Sequence, residues 1–573
     1  MKKLFACTSL LALLVAGAAG TAHSADYSPV TDARLTNPEP DNWLMTRGRY
    51  QGWSYSALDQ INTSNVKNLQ PVWTFSTGVD SGHESPPIVN NGMMFVATPY
   101  NQVLALNAAT GELIWRFKRP IPEGFSALHN TNRGVALYGD KIYFAGLDAV
   151  LVAIDAKTGK VAWESKVEDW HTGYYMTTAP VVVKGKVMVG VSGGEFGVRG
   201  FIAAFDSETG KPDWKTYSIP APGEPGSDTW QKPDTWKRGG GSAWMPGTYD
   251  PKTDTVYWGT GNGSPWFGDQ RPGDNLFTSS TLALDPATGK MKGHFQYHQN
   301  ESWDWDAMNA PMVVDYQHGG KSVSGLLTPQ RNGYLYWLER KSSGDIGYVT
   351  SVAYVKQNVF KSIDPETGRP VVDMDHKPGT GKEASFCPSL WGGKDWPFEA
   401  YNPNTGMVYI PSNDNHCGHL KGAVQEYVAG QWWTGVSIPD IGFTVDKNAG
   451  FYGEIQAYDV NSGKRAWRAL YPSSMMWGSL LTTAGNLVFG GGTNDRAFRA
   501  YDARTGEQLW QFGTNSGIIA PPSSFAVDGV QYVAVQSGYG VDPAFQEGLI
   551  SNLIGWQKDI PQGGVIWVFA VTK

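Results

Sequence analysis

One phrase recurs along the chain. It is an apolar or aromatic residue, Asp or Asn, two variable residues, Thr-Gly or Ser-Gly, and then Trp four residues after the Gly. It reads LNAATGELIW at 106–115, IDAKTGKVAW at 154–163, FDSETGKPDW at 205–214, YDVNSGKRAW at 458–467 and YDARTGEQLW at 501–510. Weaker copies are LDPATGKM at 284–291 and SSGDIGY, which ends at Tyr348. A period of roughly 50 residues marks a propeller or a solenoid. The alternating runs before each Asp, VLALN or LVAID, have the two-residue period of a strand. In the D-x-x-T-G segment the Asp bonds its local backbone and the Gly accepts positive φ, which makes a turn. The Trp falls on the next strand and wedges between adjacent sheets. Radial repetition of such sheets leaves few open edges. The chain holds about ten units of that length, or eight with insertions. The longest gaps between copies, 209–288 and 343–462, are where insertions and functional loops are expected.

Composition narrows the class. Among 573 residues, 46 are Lys or Arg and 53 are Asp or Glu, which excludes a basic nucleic-acid binder. With 24 Trp and 13% aromatics, the chain is not disordered. Residues 1–24 begin Met1-Lys2-Lys3, continue through an apolar stretch and end Ala22-His23-Ser24, the pattern of a secretory signal peptide; a short membrane anchor is the other reading. Cys7 lies inside this segment. No other run of about 18 apolar residues occurs, so no membrane span is expected. The expected organisation is a signal over 1–24 and one propeller over 25–573, in the periplasm.

The familiar chemical motifs are absent. There is no Walker A loop, no H-E-x-x-H and no C-x-x-C-H, and the Gly-rich stretches lack the strand–G-x-G-x-x-G–helix context of a dinucleotide site. What remains is carboxylate, amide and aromatic chemistry. If Glu301-Ser302-Trp303-Asp304-Trp305-Asp306 is extended, Asp304 and Asp306 project to one face. Two adjacent carboxylates repel unless a cation lies between them, and a hard cation would take their oxygens. Two solvated acids at a blade edge fit the same spacing. Ser192-Gly193-Gly194-Glu195 sets an acid among glycines that let a ligand approach the backbone, and it also reads as a plain turn. Asn262, between Gly261 and Gly263, could offer a carbonyl oxygen from another turn. Trp244 and Trp477 read as blade core or as stacking platforms.

Many ordered motifs then give a resemblance over nearly the whole mature chain. They include INTSNVKNLQPVWTFSTG (61–78), SGHESPPIV (81–89), NRGVALY (132–138), SGGEFGVRG (192–200), RPGDNLFT (271–278), ESWDWD (301–306), TPQRNGYLYWL (328–338), FCPSLWGGKDW (386–396) and WGSLLTTAGNLVFGG (477–491). The sequence resembles the periplasmic quinoprotein alcohol dehydrogenases that bind pyrroloquinoline quinone (PQQ). The resemblance implies an eight-bladed β-propeller with tryptophan-docking repeats, carrying PQQ and a metal on its axis. It implies PQQ contacts at Glu84, Arg133, Thr177, Ser192, Gly193, Gly194, Trp244, Arg331, Asn413 and Trp477. It implies metal ligands at Glu195, Asn262, Asp304 and Asp306. Asp304 matches the general base and Arg331 sits beside the quinone. The implied reaction is metal-assisted oxidation of a primary or aromatic alcohol to an aldehyde. Electrons then pass to a separate cytochrome c, because the chain has no haem motif. A homodimer is left open.

Asp306 bears on the metal. In calcium-using members the second residue after the base is small, and in lanthanide-using members it is Asp. A trivalent ion attracts more anionic oxygen, so the resemblance favours a lanthanide over Ca²⁺. Two departures stand out. The family's adjacent cysteines are replaced by Ala127-Leu128, and a late Gly-Gly-Trp motif is replaced by Gly538-Tyr539-Gly540-Val541-Asp542. Cys387 and Cys417 match a family disulfide. The alternatives are a calcium-dependent quinoprotein alcohol dehydrogenase and a PQQ-free propeller scaffold in outer-membrane assembly. Insertions over 217–240 and 418–450 are expected to shape the pocket, and Trp432-Trp433 could wall it for longer or aromatic alcohols.

Overall fold

The computed structural model describes residues 27–540 and 560–571, with Leu553 and Gly555 between them. The signal expected over 1–24 and the Val541-Asp542 end of the late motif lie outside the described residues. Seven four-stranded sheets and one five-stranded sheet follow one another as blades of a propeller. Blade 1 runs from Ile88–Asn90 to Leu113–Lys118, blade 2 from Ala136–Tyr138 to Val161–Lys166, and blade 3 from Val181–Val183 to Pro212–Tyr217. Blade 4 runs from Thr248–Asp250 to Met291–Gln296, blade 5 from Met312–Val313 to Ile346–Ala353, and blade 6 from Ala400–Asn402 to Arg465–Tyr471. Blade 7 runs from Leu480–Thr483 to Gln508–Gly513, with Tyr55–Ser56 added in parallel. Blade 8 closes the ring: Ser523–Val527, Val530–Ser537 and Val565–Val571 take Leu69–Ser76 as their outer strand.

Burial follows radial position. Met93–Thr98 and Gln102–Asn107 are buried at every residue, because neighbouring blades cover both faces of an inner strand. The outer strand Leu69–Ser76 starts on buried Leu69 and then alternates half-buried and exposed residues.

The repeat supplies the joints between blades. In these turns the Asp or Asn side chain accepts from the Thr or Ser three residues further on; Asp155 Oδ1 takes both Thr158 N (2.8 Å) and its hydroxyl (2.7 Å). The following Gly lies under a Trp from the preceding blade. Trp73 covers Gly111, Trp115 covers Gly159, Trp163 covers Gly210, Trp214 covers Gly289 and Trp467 covers Gly506. Each indole also donates to a backbone oxygen of the next turn, as Trp115 Nε1 does to Ala156 O at 2.9 Å and Trp163 Nε1 to Ser207 O at 3.1 Å. Trp510 reaches Leu69 O of the closing strand at 3.0 Å.

Two weak copies behave differently. Blade 5 docks on blade 6 through Trp337, from its third strand, which donates to Val460 O at 2.8 Å. Tyr348 instead covers Gly368 in the hairpin Phe360–Ile363/Pro370–Val372, whose Asp364-Pro365-Glu366-Thr367-Gly368 turn is a further copy of the phrase outside the blades. Between blades 4 and 5 the Trp position is Gly293, packed on Asp345.

The second long gap holds that hairpin and a three-stranded sheet, Glu383–Phe386, His416–Lys421 and Ile441–Val445. The Cys387–Cys417 disulfide is present beside this sheet. Its loop of 30 residues contributes roughly 3 kcal/mol in the chain-entropy model. Residues 43–56 cross the propeller face at which the first strand of each blade ends. Their backbone or side chains bond Val89, Val182, Tyr249, Val313, Tyr401 and Thr482 in turn, so that blades 1 and 3–7 are each held. The other end of the axis is left to loops.

The docking explanation separates two glycines of like conformation. Gly159 (φ +71°) has Trp115 atoms 2.7 Å from the place of a Cβ, whereas Gly529 (φ +75°) has nothing within 4 Å. Gly529→Ala is expected to cost about 1–2 kcal/mol of left-handed strain, and Gly159→Ala about twice that, because Trp115 must also shift. Guanidinium unfolding midpoints check this; equal losses would show that conformation alone selects the glycine.

Candidate active site

The loops entering each first strand and those leaving each second strand lie at one end of the propeller, opposite residues 43–56. Glu84, Arg133, Thr177, Trp244, Asp304, Asp306 and Trp477 come from the first kind of loop. Ser192, Gly193, Gly194, Glu195, Asn262 and Arg331 come from the second, and Asn413 ends a second strand. A cavity of about 590 Å³ opens there. Arg133, Thr177, Ser192, Gly193, Glu195, Trp244, Asp304, Asp306 and Arg331 line it. Glu84, Gly194, Asn262, Asn413 and Trp477 stand behind this wall.

One side of the cavity is organised around Arg133. Its guanidinium lies 2.8 Å from Glu84, donates to Thr177 Oγ1 at 2.5 Å and covers the Trp244 ring at 4.5 Å. Thr177 Oγ1 is 3.2 Å from Ser192 Oγ. The other side holds the acids. Asn262 Nδ2 donates to Asp304 Oδ1 at 2.8 Å and Asn262 N donates to Asp306 Oδ1 at 2.7 Å. The two Asp side chains meet the same residue, although the segment is not extended: Asp304 has φ +66°. A left-handed turn, not strand alternation, brings them together.

Arg331 stands between the acids and the blade 6 entry loop. Its Nη1 donates to Asp304 O at 2.9 Å, and its Nη2 donates to Asp395 Oδ1 at 2.6 Å and lies 3.4 Å from Asp306 Oδ2. Burial raises the Asp304 carboxyl well above the ordinary carboxylate range; Arg331 opposes this, and the charges of Asp306 and Glu195 add to it. Burial also raises Asp306, against Arg331 and the bond from Asn262 N. Among the described residues no three His, Cys, Asp or Glu side chains already stand in a ligating array.

The insertion 418–450 contributes Gln425, Trp432, Val436, Ser437 and Ile441 to the cavity wall, whereas 217–240 contributes nothing. The latter loop turns aside: Trp230 packs on Gly239 and donates to Leu276 O at 2.6 Å. Trp432 lines the cavity edge-on to Trp266. Trp433 does not line it; its ring rests on Gly197 and its backbone N donates to Glu195 O at 2.7 Å, bracing the loop that carries that acid. Asn413 bonds the backbone of Met476 with both ends of its amide, beside Trp477. Asp395 was missed as a site residue, although it lies in FCPSLWGGKDW; a partner for Arg331 is not visible until the fold joins the two loops. Leu128, one of the Ala127-Leu128 pair that replaces the family's adjacent cysteines, lines the cavity together with His129.

The glucose/ethanol/alcohol dehydrogenase β-propeller domain of PQQ enzymes matches residues 43–361 and 448–533. The chain is 37% identical to quinoprotein alcohol dehydrogenase PedH of Pseudomonas putida, over all of this chain and 97% of that one. It is 34% identical to a quinoprotein ethanol dehydrogenase of Pseudomonas putida, over 98% of this chain and 96% of the relative. Among solved structures, a europium-containing methanol dehydrogenase superposes with a TM-score of 0.87 at 35% identity, covering 94% of this chain and 99% of its own.

The buried Arg331–Asp395 pair is open to test by stability alone. Asp395→Ala removes the counter-charge and is expected to cost about 3–5 kcal/mol. Asp395→Asn keeps an oxygen for Arg331 and for Trp396 N, and is expected to cost roughly 1–3 kcal/mol. Denaturation midpoints decide; a loss below about 1 kcal/mol for Asp395→Ala would mean that Asp304 and Asp306 suffice to hold Arg331.

Proposed function

The chain belongs to the family of PQQ-dependent alcohol dehydrogenases, and on that premise we propose that it oxidises primary or aromatic alcohols to aldehydes in the periplasm, with a lanthanide ion as metal and a cytochrome c as electron acceptor. The observation that carries this reading is one cavity with two guanidiniums, a Trp face and four acids on its wall, of which Asp395 is paired with Arg331. The donor set suits both groups. Among the described residues, Arg133 Nε and Trp477 Nε1 are buried without a hydrogen-bond partner. Glu195, Asp304 and Asp306 concentrate negative charge that a hard cation would neutralise. The europium of the related methanol dehydrogenase and the presence of Asp306 both support a lanthanide over Ca²⁺.

Bound PQQ supplies the hydride acceptor, and a metal beside it supplies Lewis acidity. The chain's own residues do the rest. Glu195, Asn262, Asp304 and Asp306 are the assigned metal ligands. Arg133 and Arg331 present planar donors to the cofactor's carboxylates and carbonyls, and Trp244 offers a stacking face. Glu84, Thr177, Ser192, Gly193 and Gly194 frame the same side, with Asn413 and Trp477 behind. Asp304 is the general base that takes the alcohol's hydroxyl proton. Trp266, Trp432, Val436 and Leu390 give the cavity apolar walls that exclude water and receive an apolar alcohol tail.

The test is reconstitution of metal-free protein with PQQ, followed by dye-linked oxidation of ethanol and larger alcohols with La³⁺, with Ca²⁺ and with neither. Activity with La³⁺ that Asp306→Ala abolishes is the expected result. Activity with Ca²⁺ alone would keep the dehydrogenase and overturn the lanthanide assignment. Silence in all three, with no PQQ retained, would favour a binding scaffold.

A further inference from the structure

Two fully buried charged residues behind the cavity, Arg271 and Glu301, have no part in the chemistry above. We propose that they form a positioning pair that fixes Asn262, Asp304 and Asp306 before any metal or cofactor arrives. The proposal rests on the roles given to those three residues.

Glu301 opens the segment that carries both acids. Its Oε1 accepts from the backbone N of Trp303 and, at 2.9 Å, from that of Trp305. One carboxylate oxygen thus binds the amides on either side of Asp304. That bridge curls the chain into the turn in which Asp304 adopts φ +66°, a conformation that costs a non-glycine residue energy and persists only where its surroundings impose it. The flanking indoles stack on each other at 5.1 Å and point away, donating to His376 O and Ser389 O at 2.8 Å each. Only Asp304 and Asp306 of the segment line the cavity.

Arg271 ties this turn to its neighbour. Its Nη2 lies 3.6 Å from Glu301 Oε2 and donates to Glu301 O at 2.5 Å and to Trp266 O at 2.8 Å. Its Nε donates to Pro265 O at 2.9 Å. The guanidinium lies flat against Gly263, where a Cβ would come within 2.2 Å of its central carbon. Gly263 follows Asn262, and Trp266 is a wall of the cavity. A single guanidinium therefore holds the loop of Asn262 and Trp266 against the loop of Asp304 and Asp306. Lysine cannot replace it, because one ammonium lacks the planar fork that serves three carbonyls. This also gives RPGDNLFT, a motif without an assigned role, a reason to begin with Arg271.

The experiment compares Arg271→Lys, Glu301→Ala and Glu301→Gln with wild type. Arg340→Lys serves as control, since it disturbs the ion pairs of buried Arg340 with buried Asp250 and exposed Asp315 between blades 4 and 5. Steady-state kinetics of the reconstituted enzyme give kcat and KM. Tryptophan-sensitised luminescence of Tb³⁺ titrated into PQQ-free protein gives a metal Kd without activity. Arg271→Lys and Glu301→Ala are expected to lower kcat roughly 10–100-fold and raise the Tb³⁺ Kd about 10-fold, with KM changed less than about threefold. Glu301→Gln keeps an oxygen for both amides and should recover most of the loss. Arg340→Lys should lower the unfolding midpoint and leave kcat and Kd alone. The proposal is overturned if Arg271→Lys and Glu301→Ala behave like Arg340→Lys. If Glu301→Ala does not fold, Arg271→Lys and Glu301→Gln decide. A wild type that neither oxidises alcohols nor binds Tb³⁺ would overturn the functional reading, and this pair's role with it.

Discussion

An indole seated on a glycine turn is the contact on which the rest of the molecule depends. A blade by itself is a small sheet whose faces are both apolar, and it cannot bury them alone. The Trp of one outer strand closes over the turn of the next blade and bonds its backbone, so each joint has a packing part and a directional part. The pairing of Leu69–Ser76 with Val565–Val571 then makes the array a ring, and Trp510 locks onto that strand. Only a closed ring brings loops from distant parts of the sequence to one axis, which is what the cavity requires.

The same antiparallel geometry divides the labour between the two ends. The docking turns join third to outer strands, and so they lie at the end crossed by residues 43–56. The loops before first strands and after second strands are freed from docking, and every residue assigned to the site lies on them or, in the case of Asn413, at a strand end. The repeat can therefore stay regular while the other face varies. Blade 6 shows how far that goes: its entry loop supplies Asp395, and the insertion between its second and third strands supplies Trp432 and the brace on Glu195.

The blades were legible in the sequence because their signal is local. An Asp, a Thr-Gly and a Trp within ten residues report a turn and the strand after it. The joint at Trp337 was not legible, since its partner Gly463 lies far along the chain and its Trp sits on a third strand. The site divides in the same way. Arg133, Glu195, Asn262, Asp304 and Arg331 were found through motifs, and the cavity gathers them. Asp395, Arg271 and Glu301 act only through residues remote in sequence, so their types alone gave no sign of a role. Even the pairing of Asp304 with Asp306 came by a route that alternation did not foresee, a left-handed turn in place of a strand.

These hidden partners matter because of what the cavity must tolerate. Burial, and for Asp304 the neighbouring acids as well, raises the affinity of these carboxyls for protons; Arg331 opposes this at both, and Asn262, Trp244 and Arg133 oppose it at Asp306. A flexible loop would relieve the repulsion by turning an acid outward to water. Here that escape is blocked: the amides beside Asp304 are bound by Glu301, the indoles on both sides are bonded to other loops, and Arg271 binds the carbonyls behind. The repulsion is therefore retained in the folded state as a standing preference for a cation. A stiff frame of this kind keeps each acid in place, so that each adds to the field that a cation would have to satisfy.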